Sequence, residues 1–190
     1  LSLVENKLVT AEAWEKALAA MLTKGSLTVL LSLNLQSCRI GIKGGAVIAE
    51  ALRVNSSLTS LDVSFSDIGK EAALELVRIF KERQMTSVGL GGCDLGPDGG
   101  KIVAEYVRVS ISLTNLNLTN NRLAGETGHT KATEVQGSSF NVGDQVTYQG
   151  REMTISMAEN SDGDIRMRDL HGIKELTSAI AASGSLTSLE

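Results

Sequence analysis

The chain has 190 residues, 42% of them hydrophobic but only 3% aromatic, so it holds one or two domains with an aliphatic core. Eighteen Lys and Arg against 22 Asp and Glu give a net charge of −4, which speaks against nucleic-acid binding, because polyanion binders carry a basic surplus. No apolar run reaches the roughly 18–20 residues of a membrane span, and two cysteines cannot build a disulfide scaffold.

The chain opens at Leu1 with no initiator Met and no signal-like segment, and it stops within Ser185-Leu186-Thr187-Ser188-Leu189-Glu190. Both ends read as interior to a repeat, so a piece of a longer protein is expected. Leu1-Ser2-Leu3-Val4-Glu5-Asn6-Lys7-Leu8 is the tail of one strand phrase. The next is Leu33-Asn34-Leu35, preceded by Ser26-Leu27-Thr28, and either Leu27 or Leu30 begins its strand. Ser57-Leu58-Thr59-Ser60-Leu61-Asp62-Val63 follows, then the divergent Gln84-Met85-Thr86-Ser87-Val88-Gly89-Leu90, then Ser112-Leu113-Thr114-Asn115-Leu116-Asn117-Leu118. Ser185–Leu189 starts the phrase again.

An apolar anchor stands five residues after each strand: Leu8, Ile40, Ile68, Leu95 and Leu123, at spacings of 32, 28, 27 and 28. Two places before each anchor stands Asn6, Cys38, Ser66, Cys93 or Asn121. Between phrases the apolar period changes from 2 to 3.6. Trp14, Ala17, Leu18, Met21 and Leu22 follow helical spacing. So do Gly45, Ile48, Ala49 and Leu52, then Ala73, Leu76, Val77 and Phe80, then Gly100, Val103, Ala104 and Val107. Pro97 suits the first turn of the last of these helices.

Each unit is therefore a strand, a turn and a helix, which cannot cover its own apolar face and must stack on a neighbour. The pattern resembles the leucine-rich repeat family, and the period of about 28 residues with a full helix is similar to its ribonuclease-inhibitor-like subtype, as in NOD-like receptors and Ran GTPase-activating proteins. The resemblance covers residues 1–125 and 171–190. It implies an α/β solenoid with a parallel concave sheet and convex helices.

One interval breaks the period. Leu123 to Leu186 spans 63 residues where its counterparts span 17 or 18, a surplus of 45 residues. Removing 126–170 places Gly172 on Gly44, Leu176 on Ile48 and Ile180 on Leu52. Three domains follow: repeats over 1–125, an insert over 126–170, and resumed repeats over 171–190. Within the insert, Val142–Tyr148, Met153–Met157 and Ile165–Arg168 alternate like strands, with an Asp162-Gly163 hairpin signal before the last. A small antiparallel β-meander is expected, with a flexible lead-in over 126–139. The insert carries eight acids and four bases, the whole net charge of the chain.

Catalytic and metal chemistry find little support. Cys38 and Cys93 sit in the same repeat slot two repeats apart, about 10 Å at strand spacing, beyond the roughly 7 Å reach of a disulfide. Gly89–Gly100 lacks the Gly and the Ser/Thr that a phosphate-binding loop needs around its Gly-Lys. Asp162, Asp164 and Glu159 suit a hairpin better than a cation site. His129 and His171 have no partner at a catalytic spacing. No cofactor, metal or catalytic residue is expected.

The family resemblance implies binding on the concave face. Its outward strand positions are Ser32, Asn34, Gln36 and Ser37; Ser60, Asp62, Ser64 and Phe65; Ser87, Gly89, Gly91 and Gly92; Asn115, Asn117, Thr119 and Asn120. Asp62, Phe65, Asn115, Asn117 and Asn120 are the candidate protein-binding residues. The expected function is a non-enzymatic, cytoplasmic scaffold for protein partners, with neither nucleic acid nor membrane among them. Self-association through the uncapped Leu1, Leu3, Leu186 and Leu189 is a further expectation. The alternatives are a GTPase regulator of the Ran-activating type and a structural subunit of a large assembly.

Overall fold

A computed structural model describes Ser2, residues 30–137 and residues 139–190. The expected Leu8 anchor, the Asn6 slot, the helix from Trp14, the Ser26–Thr28 phrase and the end residues Leu1 and Leu3 lie outside the described residues.

Four strand–helix units follow the period. They are β1 (Ser32–Asn34) and α1 (Gly41–Val54), β2 (Ser60–Asp62) and α2 (Lys70–Lys81), β3 (Ser87–Gly89) and α3 (Gly96–Val109), and β4 (Asn115–Asn117). The helix of the fourth unit is α4 (His171–Ala182), and β10 (Ser188–Leu189) opens the next. The strands form one parallel sheet in the order β1-β2-β3-β4-β10. Leu33, Leu61, Val88, Leu116 and Leu189 stand in one row across it. Ser2 bridges Asn34 in parallel, extending the sheet past β1. The register settles the first phrase: Ser32 pairs Ser60, so Leu30 occupies the position of Leu58.

The chain is built this way because each unit lends its apolar row to a shared core. Leu33, Leu61, Val88 and Leu116 are buried with the anchors Ile40, Ile68 and Leu95 and the helix stripes led by Ile48, Leu76 and Val103. Leu123 is half-buried against this core. Tyr106 is buried as well, although it lies off the apolar stripe read from the sequence, and its ring tilts against Phe80 at 6.1 Å between centroids.

The side chain two places before the anchor ties one unit to the next. Ser66 accepts from the Cys38 N–H at 3.0 Å and donates to the Leu35 carbonyl at 2.5 Å. Asn121 accepts from the N–H groups of Cys93 and Leu95 at 3.1 and 3.2 Å and donates to the carbonyls of Leu90 and Leu118 at 2.7 and 3.0 Å. These turns are buried, so backbone groups there need a protein partner. A second recurring device closes the exits of α1, α3 and α4. Asn55, Ser110 and Ser183 accept the N–H of the Leu that opens the following phrase, Leu58, Leu113 or Leu186. Arg83, just past α2, reaches across to the exit of α1, where its guanidinium donates to the carbonyls of Asn55 and Leu52. On the helical side, Arg53 reaches Glu75, Lys81 reaches Glu105 at 2.6 Å and Arg108 reaches Glu175. These exposed pairs align neighbouring helices but add little stability each.

Between Gly125 and Asp169 the chain forms a second, antiparallel sheet. Its strands are β5 (Gly125–Glu126), β6 (Thr130–Lys131), β7 (Gln145–Tyr148), β8 (Arg151–Met157) and β9 (Asp164–Asp169). They run in the order β5-β9-β8-β7, with β6 also on β9. The 126–139 segment departs from the expected flexible lead-in. Thr130 pairs Ile165 on β9 and Gln136 bridges Thr147 on β7, so this stretch spans the open side of the meander. It buries Ala132 and Val135 among Val146, Met153, Ile155, Ile165 and Met167, a core separate from that of the repeats. The sheet meets the repeats at the first turn of α3. Gly125 lies against Pro97, where a Cβ would stand 2.8 Å from Pro97 Cγ. Arg151 bridges Asp98 at 3.3 Å and the buried Asp169 at 3.1 Å.

Candidate protein-binding face

The parallel sheet turns one row of side chains outward, and the strand ends decide what that row looks like. In three units the second outward residue folds back on its own turn. Asn34 accepts from the Gln36 N–H, Asp62 from the Ser64 N–H at 2.9 Å and Asn117 from the Thr119 N–H at 3.0 Å. Short polar side chains favour such turns because they replace a backbone acceptor. Asp62 and Asn117 are thus half-buried and partly committed before any partner arrives.

Three of the sixteen outward positions are buried. Ser64 is fully buried, since the chain turns inward after β2 and its hydroxyl accepts the Gly91 N–H at 3.0 Å. Gly89 and Gly91 are buried beneath neighbours. A Cβ at Gly89 would stand 2.2 Å from an Asp62 oxygen, and one at Gly91 would stand 3.2 Å from the Phe65 ring and 3.1 Å from Asn117 Oδ1. The missing side chains of β3 give Asp62 and Phe65 room to lie across the face.

Phe65 is the aromatic of this face. It has φ 57°, a left-handed conformation shared by its repeat equivalents Ser37 (57°), Gly92 (67°) and Asn120 (56°). A bulky residue adopts it at a cost that small or Asn residues largely avoid. Its ring lies over Gly92, where a Cβ would come within 2.7 Å, and 37% of the residue stays exposed.

The structure brings Asp62, Asn115 and Asn117 together around Gly89 in a depression of about 170 Å³. Glu190, absent from the sequence-derived set, forms its far wall and accepts a hydrogen bond from Asn117 Nδ2 at 3.1 Å. Asn120 is exposed on the loop beyond and does not line the depression. The depression therefore offers carboxylates at two walls and amides between them, a surface suited to hydrogen-bond donors.

The other singled-out residues serve structure. The Cys38 and Cys93 thiols are buried, donating weakly to the carbonyls of Gln36 and Gly91. Burial, with the Asp62 charge adding to it, pushes the Cys93 thiol up to about 12. Neither thiol is expected to react with Ellman's reagent in the folded protein, and both should react after denaturation. Rapid labelling of Cys93 in native buffer would contradict its placement. Asn160 caps the hairpin by accepting the N–H groups of Asp162 and Asp164, and Asp164 pairs with Lys131 at 2.7 Å. Among the described residues no group of three His, Cys, Asp or Glu is placed to hold a metal ion. Among them, too, no helix is long and apolar enough to cross a membrane.

The repeating strand–turn–helix units, their shared core and their slot residues define a leucine-rich repeat protein. A family model described as Leucine Rich repeat matches residues 26–49 and 54–77 of the chain. Two mouse proteins are similar to it. "NACHT, LRR and PYD domains-containing protein 12" is 34% identical over 102 residues, 52% of this chain and 10% of that protein. "NACHT, LRR and PYD domains-containing protein 4E" is 30% identical over 97 residues, 50% of this chain and 10% of that protein. The match thus spans about a tenth of the length of these relatives. Among solved structures, "Leiomodin-1 Actin-Binding Site 2 (ABS2)" is similar in fold, with a TM-score of 0.58 and 12% identity over 91% of this chain and 76% of that one.

Proposed function

We propose that the chain is a non-enzymatic interaction module that binds a protein through the outward face of its parallel sheet. Leucine-rich repeats suggest an interaction role, and the observation that carries this reading is Phe65. An exposed aromatic ring in a left-handed backbone conformation spends stability on a face that is otherwise small and polar. Aromatics are enriched at the energetic centres of interfaces. The glycines beside it leave room for the ring and for the Asp62 carboxylate, which shares the depression with Asn115 and Asn117. The partner that suits this surface offers a small apolar contact for Phe65 and hydrogen-bond donors for the depression beside it. We assign residues 126–170 to a module distinct from the repeats on either side, and the protein to the cytoplasm.

A photo-crosslinking amino acid at Phe65 tests the reading against one at Arg78 on the helical side. Crosslinks to a discrete partner are expected from position 65 only, and Asp62→Ala should weaken capture of the same partner about tenfold, the scale of a truncated interface contact. Equal crosslinking from both positions would refute the concave-face assignment.

A further inference from the structure

The outward row Asn34, Asp62, Gly89 and Asn117 runs in register across β1 to β4. Asn34, Asp62 and Asn117 do the same structural work, each accepting the N–H two residues ahead. A neutral amide oxygen fills that role at two of the three positions, so the turn does not call for the charge at Asp62. An ion pair does not account for it either. Among the described residues Asp62 has no cationic partner, and its hydrogen bond is the one from the Ser64 N–H. Gly89 decides where this carboxylate goes. A Cβ at Gly89 would stand 2.2 Å from Asp62 Oδ1 and 2.4 Å from its Cγ, so the carboxylate lies in the space a β3 side chain would fill. With one oxygen held by Ser64, it lines the depression of about 170 Å³.

No lysine, arginine or histidine lines that depression. Glu190 follows Leu189, the partner of Leu116, and its Oε2 accepts from Asn117 Nδ2, which leaves Oε1 unused among the described residues. Asn115 donates from its amide nitrogen to Thr114 Oγ1 at 3.3 Å, and its carbonyl oxygen is left over. Unused acceptors therefore stand on three walls. Outside residues 126–170 the chain carries acids and bases in equal number, yet the outward positions of the sheet hold Asp62 and Glu190 and no base. The complement of this surface is a cation with several donors. A guanidinium presents five donors in a planar fork, whereas an ammonium is a compact point charge, so acceptors spread over three walls suit the former.

We propose that this depression receives an arginine side chain of a protein partner, its guanidinium paired with Asp62 and donating to Asn115 and Glu190. The proposal rests on the concave-face reading and names the chemistry that the partner brings to it.

An amide-shift NMR titration of the whole chain tests it, using a capped pentapeptide with one central arginine and the same peptide with lysine or with citrulline, the uncharged isostere. Saturable shifts at Ser64, Gly89 and Asn117 are expected with the arginine peptide at millimolar concentration, weaker binding with lysine and none with citrulline. Asp62→Asn keeps an acceptor for the Ser64 N–H, as Asn34 and Asn117 do, and should weaken arginine binding about tenfold. Glu71→Gln, in the first turn of α2, should leave it unchanged. The proposal is overturned if the citrulline peptide binds equally, if lysine binds as tightly as arginine, if the shifts map to the helical side, or if Asp62→Asn binds as the wild type does. A partner crosslinked from position 65 without any arginine-peptide binding would overturn this proposal and leave the concave-face reading standing. Arginine-dependent shifts at Ser64, Gly89 and Asn117 support it even where position 65 yields no crosslink, a result that would count against the role of Phe65 alone.

Discussion

Asn121→Ala is expected to destabilise the protein by about 3–5 kcal/mol in denaturant unfolding. The side chain is 2% exposed and makes two acceptor and two donor contacts with buried backbone. Truncation leaves the N–H groups of Cys93 and Leu95 without a partner, at about 1–3 kcal/mol for each buried unpaired donor. The loss is large against a typical domain stability of about 5–15 kcal/mol. Ser66→Ala should cost less, about 1–2 kcal/mol, because the hydroxyl satisfies one N–H and one principal carbonyl. The ranking matters more than either value. Equal losses at the two positions would mean that slot residues fill space rather than satisfy backbone.

Gly172→Ala should cost about 3 kcal/mol or more, despite a gain of about 1 kcal/mol in helix propensity. A Cβ there would stand 2.0 Å from the Pro97 carbonyl oxygen and 2.8 Å from its carbon. Both atoms are backbone, so no rotamer change relieves the overlap. Helix α4 must move away from α3, and β10 is attached to the sheet directly behind it. The expected signature is faster amide exchange across His171–Ala182 with α1 and α2 unchanged. Gly184→Ala is the matched control. A Cβ there meets nothing within 4 Å, so its effect should stay within about 0.5 kcal/mol. A Gly172→Ala protein as stable as the control would show that the two helices do not pack through this glycine.

The two substitutions mark where sequence reading succeeds and where it ends. The repeat was legible because every unit solves the same local problem with residues at fixed spacing. Leu33, Leu61, Val88 and Leu116 must alternate to reach the core, and Asn121 or Ser66 must stand two places before an anchor to satisfy the turn. The candidate face was legible in outline for the same reason, since outward positions follow from inward ones. What it looks like was not. Ser64 turns in, Gly89 and Gly91 are covered, and Glu190 enters the depression beside Asn117, each through a contact with a different unit.

The start of β1 was decided only by tertiary pairing. Leu27 and Leu30 have equal local credentials, and the hydrogen bond from the Thr59 N–H to the Leu31 carbonyl fixes the register. The 126–139 stretch is the sharper case. Its sparse apolar residues carry no period, yet Ala132 and Val135 are buried because Thr130 and Gln136 pair with strands up to 35 residues away. A cavity of about 340 Å³ between β8 and the starts of α3 and α4 was likewise invisible in the chain. Lys101 and Lys174 line it from two helices that touch at Gly100 and Gly172. By itself the sequence determined the period, the core rows and the slot residues, because those obey short-range rules of spacing and burial. Tertiary structure decided the register of the first strand, the closure of the second sheet and the cavity at their seam, because each depends on contacts between residues that no local pattern relates.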